Sequence, residues 1–253
     1  MRSRPSVSKI TESRNICRMY TDWERESTIP VIRRRAAWTT WGSVAYHVTI
    51  MASEQPLFIQ LSPECEAALL ERFLKAEAMA LWTVQSARLQ DVPSNVYTFL
   101  RKHEEDEQKH LAQFESLIGR QSRERDRLPS VPRQWSALAV QIYGYESLGL
   151  EFARLLSMLR PDLASIFEDE LGHVGFFERE VRRILCASPD EAEQARASAR
   201  ALWRKLPRTV GRYVEAPVLD PFRQSLTAHI LESIERRFVT TGLLKKRAEP
   251  KEC

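Results

Sequence analysis

Two hexapeptides carry the residue types from which a metal site could be built. EDEQKH spans Glu105–His110, and EDELGH spans Glu168–His173, 63 residues further on. In each, a glutamate precedes a histidine by three positions: Glu107 with His110, and Glu170 with His173. On a helix, residues i and i+3 share a face, so each pair would aim a carboxylate and an imidazole at one point. The surrounding residues indicate which face that is. Val96, Leu100, His103, Glu107, His110, Phe114 and Leu117 recur in steps of three and four. So do Leu163, Phe167, Glu170, His173, Phe177 and Val181. Both pairs therefore sit on apolar seams. Burying an unpaired carboxylate costs several kcal/mol or shifts its pKa. No Lys or Arg occupies a seam position, so metal cations are the expected compensation. Carboxylate and imidazole donors without thiolate suit iron or manganese.

The helices that would position these residues can be read in order. The first runs from Ser62 to about Gln90, with Ser62 expected as N-cap and Pro63 as first helical residue. Glu77 is the one acid on its stripe of Leu70, Leu74, Leu81 and Val84. The second covers about 96–118 and ends at Gly119. Residues 119–133 are polar and proline-marked. Fifteen residues reach about 50 Å, more than the ~35 Å of a 23-residue helix. This linker can therefore run the length of a bundle and start the third helix parallel to the second. The third helix, about 134–159, holds two candidate acids. Glu146 has Ile142, Tyr143, Gly149 and Leu150 around it, whereas Glu151 has Arg154 close by. Glu146 is the preferred inward acid, with Glu151 left open. The fourth helix runs from about Pro161 to Leu185. SPDE at 188–191 reads as the capping box of a fifth helix that ends before Pro207. DPF at 220–222 opens a sixth, with Phe222, Leu226, Ile230, Ile234 and Phe238 inward. A charged tail begins with KKR at 245–247.

The expected fold is thus all-α: a four-helix bundle over 62–185 with a long crossover between helices 2 and 3, and two C-terminal helices over 189–245 packed on it. Residues 1–50 read as an N-terminal extension, with nine Lys/Arg against four Asp/Glu. It is a transit peptide, a poorly ordered segment, or a stretch upstream of a start at Met51. Glu12, Asp22, Glu24 and Glu26 weigh against the first option. The rest of the chain is close to neutral, which argues against a nucleic-acid-binding surface. The cysteines, Cys17, Cys65, Cys186 and Cys253, form no C-x-x-C and are widely scattered. They suggest neither a zinc ribbon nor a rubredoxin-type site, and a reducing, cytoplasmic compartment is expected. No run of apolar residues reaches the ~18 of a membrane span.

The set Glu77, Glu107, His110, Glu146, Glu170 and His173, written E…ExxH…E…ExxH, resembles that of the ferritin-like di-iron carboxylate proteins. The resemblance covers about residues 62–185. It implies two iron ions, or a manganese–iron pair, with Glu77 and Glu146 as terminal ligands, Glu107 and Glu170 bridging, and His110 and His173 capping one iron each. Asp106 and Asp169 stand four residues before the two histidines. They either orient the imidazoles or face solvent. His103, one turn from Glu107, reads as a core or supporting histidine rather than a ligand. His47 and His229 receive no role, and Tyr143, Tyr145, Trp82 and Trp135 read as core.

The resemblance also implies an activity: an oxidoreductase, a hydroxylase or oxygenase. It would use O2, an external electron donor and a small or lipidic organic substrate. The segment EDEQKHLAQFESLIG is similar to the second helix of the demethoxyubiquinone hydroxylase group. Rubrerythrin- or ferritin-like iron handling or peroxide removal is the alternative, and a metal-free helical interaction module is a third. A homodimer fits the first better than a large shell does.

Overall fold

The computed structural model describes residues 61–122 and 131–245. Six α-helices form: α1 (Glu64–Arg88), α2 (Ser94–Ile118), α3 (Trp135–Leu159), α4 (Ala164–Ala187), α5 (Pro189–Tyr213) and α6 (Arg223–Thr240). Single 3-10 turns at Pro161–Leu163 and Pro217–Leu219 precede α4 and α6. There is no strand among the described residues, so the expected all-α class holds. No described helix is long and apolar enough to cross a membrane. The expected extension over 1–50, most of the 119–133 linker and the tail beyond Lys245 lie outside the described residues.

The helix ends follow local chemistry. Gly119 closes α2 in the left-handed region at φ 74°, where its N–H donates to the Glu115 carbonyl. Ser188 caps α5 by accepting from the Glu191 N–H at 3.2 Å. At α1 the expected side-chain cap does not form; Ser62 instead offers its backbone carbonyl to the Cys65 N–H. One boundary differs more. The fifth helix does not stop before Pro207 but continues through it to Tyr213. An interior proline removes one hydrogen bond and costs about 3 kcal/mol. Here Pro207 faces solvent, while Leu206 and Val210 on either side are buried, so packing of the apolar face outweighs the break.

The pairing of residues reveals helix directions. Phe73 stacks on Phe114 with centroids 5.3 Å apart, and Glu77 lies opposite His110, so α1 and α2 are antiparallel. Asn95 meets Glu180 and His110 meets Asp169, so α2 and α4 are antiparallel. Tyr143 reaches Glu178 and Gly149 faces Glu170, so α3 and α4 are antiparallel too. It follows that α2 and α3 run the same way. Helix α1 also packs on α3.

Helix α3 is apolar on nearly every side, as a helix surrounded by others must be. Its remaining faces take α5, in parallel (Ser136 to Gln194, Phe152 to Tyr213), and α6, antiparallel (Tyr143 to Phe238, Glu151 to Ser233). Helices α5 and α6 both press on α3 at Gly144. A Cβ there would collide with Leu202 Cδ2 and stand 3.2 Å from Phe238 Cζ. Gly144→Ala is expected to cost about 1–3 kcal/mol through overpacking. In a thermal melt each kcal/mol lowers Tm by about 2–4 °C. An unchanged Tm would contradict this packing.

Candidate metal centre

Glu77 comes from α1, Glu107 and His110 from α2, Glu146 from α3, and Glu170 and His173 from α4. The structure brings all six together in the core, each no more than 6% exposed. They fall into two groups in which one donor atom per residue lies within 4.8 Å of the others. One group is Glu77, Glu107, His110 and Glu170. The other is His103, Glu107, Glu146 and His173. Glu107 belongs to both and stands between them, whereas Glu170 groups with the Glu77 side only.

His103 is the member that sequence reasoning placed outside the ligand set. It is fully buried, and its Nε2 lies 2.9 Å from Glu107 Oε1 and 3.5 Å from Glu146 Oε2. Its ring centroid is 3.8 Å from that of His173. His173 Nδ1 approaches the same two carboxylates at 3.5 and 3.6 Å. The available signal was His103's place on the Glu107–His110 seam, one turn before Glu107.

Asp106 and Asp169 each lie beside the histidine of the other helix. His110 Nε2 lies 3.2 Å from Asp169 Oδ2, and His173 Nε2 lies 3.6 Å from Asp106 Oδ2. In both histidines Nδ1 therefore points at the carboxylates and Nε2 at an aspartate. A carboxylate behind a ligating imidazole sets its tautomer and raises its basicity. Asp106 also accepts from Lys109 at 3.2 Å. Glu105 and Glu168, the first letters of the hexapeptides, are exposed.

Glu151 is separated from the cluster by its direction on α3. It accepts from Ser233 Oγ at 2.6 Å and lies within 3.5–3.8 Å of Arg154, His229 and Arg237. That network of one hydrogen bond and three nearby cationic or imidazole groups faces α6, away from the cluster. Glu146 is the α3 acid that faces the cluster.

The electrostatics are those of carboxylates and imidazoles crowded together away from water. Burial, followed by the neighbouring carboxylates, pushes Glu107 and Glu170 well above the usual carboxylate range. Burial also acts on Glu146, but His103 and His173 outweigh it and hold it low. Burial keeps His103 below its ordinary value. His110 is raised, because Glu77 and Asp169 outweigh its burial. Several buried polar atoms of the cluster have no hydrogen-bond partner: Oε2 of Glu77, Glu107 and Glu170, Nδ1 of His103 and His110, and both ring nitrogens of His173. Orphaned polar atoms converging on one region call for an explanation, and a bound ion is one. The donor set of oxygen and imidazole nitrogen fits iron or manganese.

On the α2–α4 side the cluster is walled by aromatics. Phe99 stacks on Phe176 with centroids 3.6 Å apart, and Phe99 and Phe177 each lie within 6 Å of the His103 ring. On the opposite side, Glu77, Glu146 and Glu170 border a cavity of about 270 Å³ between α1, α3 and α5. Compared with models of protein families, with curated proteins and with solved structures, the chain matches none.

Proposed function

We propose that the chain is an oxidoreductase using a pair of iron ions to activate dioxygen for hydroxylation or oxygenation of an organic molecule. Glu77, Glu107, His110, Glu146, Glu170 and His173 would hold the ions, with His103 as an additional donor. The observation that carries this reading is the overlap of two buried four-residue donor groups on Glu107. Such a pair, when bound, supplies electrons for the reduction of dioxygen, and an external donor must restore them. The same donors accommodate manganese with iron.

A ferritin-like four-helix bundle, with the chain after Ile118 crossing its full length, belongs to this reading. The shared direction of α2 and α3 supports it, as do the α1–α2 and α3–α4 pairs that bring four helices round the cluster. Within it, Asp106 and Asp169 keep both imidazoles aimed inward, and Phe99, Phe176 and Phe177 exclude water from one side. The cavity on the other side favours an enzyme over an iron-storage protein, which needs no organic substrate pocket.

The test is anaerobic reconstitution with Fe(II), followed by metal analysis and O2-uptake measurement. About two irons per chain are expected, with iron-dependent O2 uptake, and Glu107→Ala loses both. A protein that stays metal-free after reconstitution sinks the proposal. A large shell on size exclusion would favour storage instead.

A further inference from the structure

The cavity beside the cluster is polarised along its depth. Its charged side chains divide into three carboxylates at the floor and three cations, Arg72, Lys75 and Arg212. The floor residues are buried, whereas Arg212 is exposed and Arg72 and Lys75 are half-buried, so the cations mark the mouth. Arg72 also pairs with the exposed Glu215, which does not line the cavity. Arg72 and Arg212 against that one acid leave a positive charge at the rim.

Between rim and floor the walls are apolar and aromatic. Phe73 and Phe152 meet edge to face at 6.1 Å, and Tyr213 stacks on Phe152 at 4.8 Å. Tyr145 completes the ring-lined section. Burial raises the Tyr213 hydroxyl, and Glu77 raises it further, while Arg212 and Arg72 act against them. Tyr213 therefore lies within the field of both ends. Thr209, Arg212 and Tyr213 all come from the part of α5 that continues beyond Pro207. The continuation of α5 supplies both one aromatic wall and one rim cation.

We infer that this cavity binds a small organic carboxylate, its apolar or aromatic body against Phe152, Tyr145 and Tyr213, its carboxylate held by Arg72 and Arg212 at the mouth, and its far end presented to the cluster. Volume limits the occupant. Ligand sites usually span about 300–1,000 Å³, and a cavity of about 270 Å³ admits a single ring or a short chain. Arginine is suited to the role because its planar fork matches a carboxylate with two hydrogen bonds. A positive rim also steers anions inward. This inference deepens the proposed function and rests on it for the identity of the reacting end, but the binding itself does not require that reading.

Matched acid and amide probes test it: 4-hydroxybenzoate with 4-hydroxybenzamide, phenylacetate with phenylacetamide, and hexanoate with hexanamide. Each is titrated calorimetrically into the full chain, with chelator present and again after Mn(II) loading. At least one acid is expected to bind tenfold or more tighter than its amide. The double variant Arg72→Gln/Arg212→Gln should abolish that preference, with helix content by circular dichroism and Mn(II) stoichiometry unchanged. Amides that bind as well as acids, a preference that survives in the double variant, or no binding by any probe would each overturn the inference. A carboxylate held by the metal ions instead of the rim would show as a preference that survives. Metal stoichiometry is measured separately. Probe binding without metal would leave this inference standing and remove the di-iron reading; two metals without probe binding would do the reverse.

Discussion

Glu107→Gln is expected to stabilise the metal-free protein at pH 8 while removing its response to metal. The two effects have one cause. Glu107 is 0% exposed, its Oε2 has no hydrogen-bond partner, and burial together with Glu77, Glu146 and Glu170 raises its pKa well above the usual range. Ionising it at pH 8 without a cation is therefore unfavourable. A glutamine of the same shape removes one negative charge and offers two N–H donors to the orphaned Oε2 atoms of Glu77 and Glu170. Relief of an unsatisfied buried acceptor is worth about 1–3 kcal/mol, or a Tm higher by about 2–4 °C per kcal/mol. A carboxylate kept for structural reasons would give the opposite result, since its loss would leave partners unpaired. A Glu107→Gln variant that melts lower than the parent in chelator would count against a site shaped for cations.

The linkage has a definite sign. Glu107 and Glu170 have folded-state pKa values above their unfolded value of about 4.5. The folded state thus holds more protons than the unfolded state as pH rises above that value. The stability they contribute is complete below pH 4.5 and is lost as pH climbs through the raised values. His110, also raised, acts the same way above its unfolded value of about 6.5. His103 is lowered, so its contribution is present above 6.5 and is lost on acidification through its folded value.

Much of this site was legible in the sequence because its logic is local. A three-residue Glu–His spacing on an apolar seam identifies a face, and a lone acid on a seam, such as Glu77, identifies a candidate partner. The six helices follow from the same periodicity. Other parts depend on neighbours distant in sequence. Glu146 and Glu151 were both plausible from their own helix. What separates them is α6, whose Ser233 and Arg237 engage Glu151. The crossing of Asp106 to His173 and of Asp169 to His110 is a matter of register between α2 and α4, which no spacing within one helix encodes. His103 looked like core because a buried histidine usually is one; its proximity to Glu146 of α3 shows only in three dimensions. Pro207 was misread because propensity is a local preference, and burial of Leu206 and Val210 overrode it. That misreading also hid Tyr213 and the cavity wall it forms.

Loading with Mn(II) should raise the melting temperature in two resolvable steps, and more at pH 8 than at pH 6. An ion that binds only the folded state stabilises by about 2.7 kcal/mol at a hundredfold excess over Kd. Two such sites give about 5 kcal/mol, or a rise of about 10–20 °C in Tm. The pH dependence arises because ion binding must release the protons that burial keeps on Glu107 and Glu170. The steps arise because the two donor groups differ. His103, Glu107, Glu146 and His173 offer two imidazoles and two carboxylates, whereas Glu77, Glu107, His110 and Glu170 offer one imidazole and three carboxylates. Nitrogen-rich and oxygen-rich sites rank divalent metals differently. His103→Ala should therefore weaken one step and Glu77→Gln the other, each tenfold or more, while Glu107→Gln affects both. If His103 merely packs against Phe99 and Phe177, His103→Ala will lower the melting temperature of the metal-free protein and leave both binding constants where they were. The seventh donor is then struck from the site, and the two groups collapse to the symmetric set of four carboxylates and two histidines.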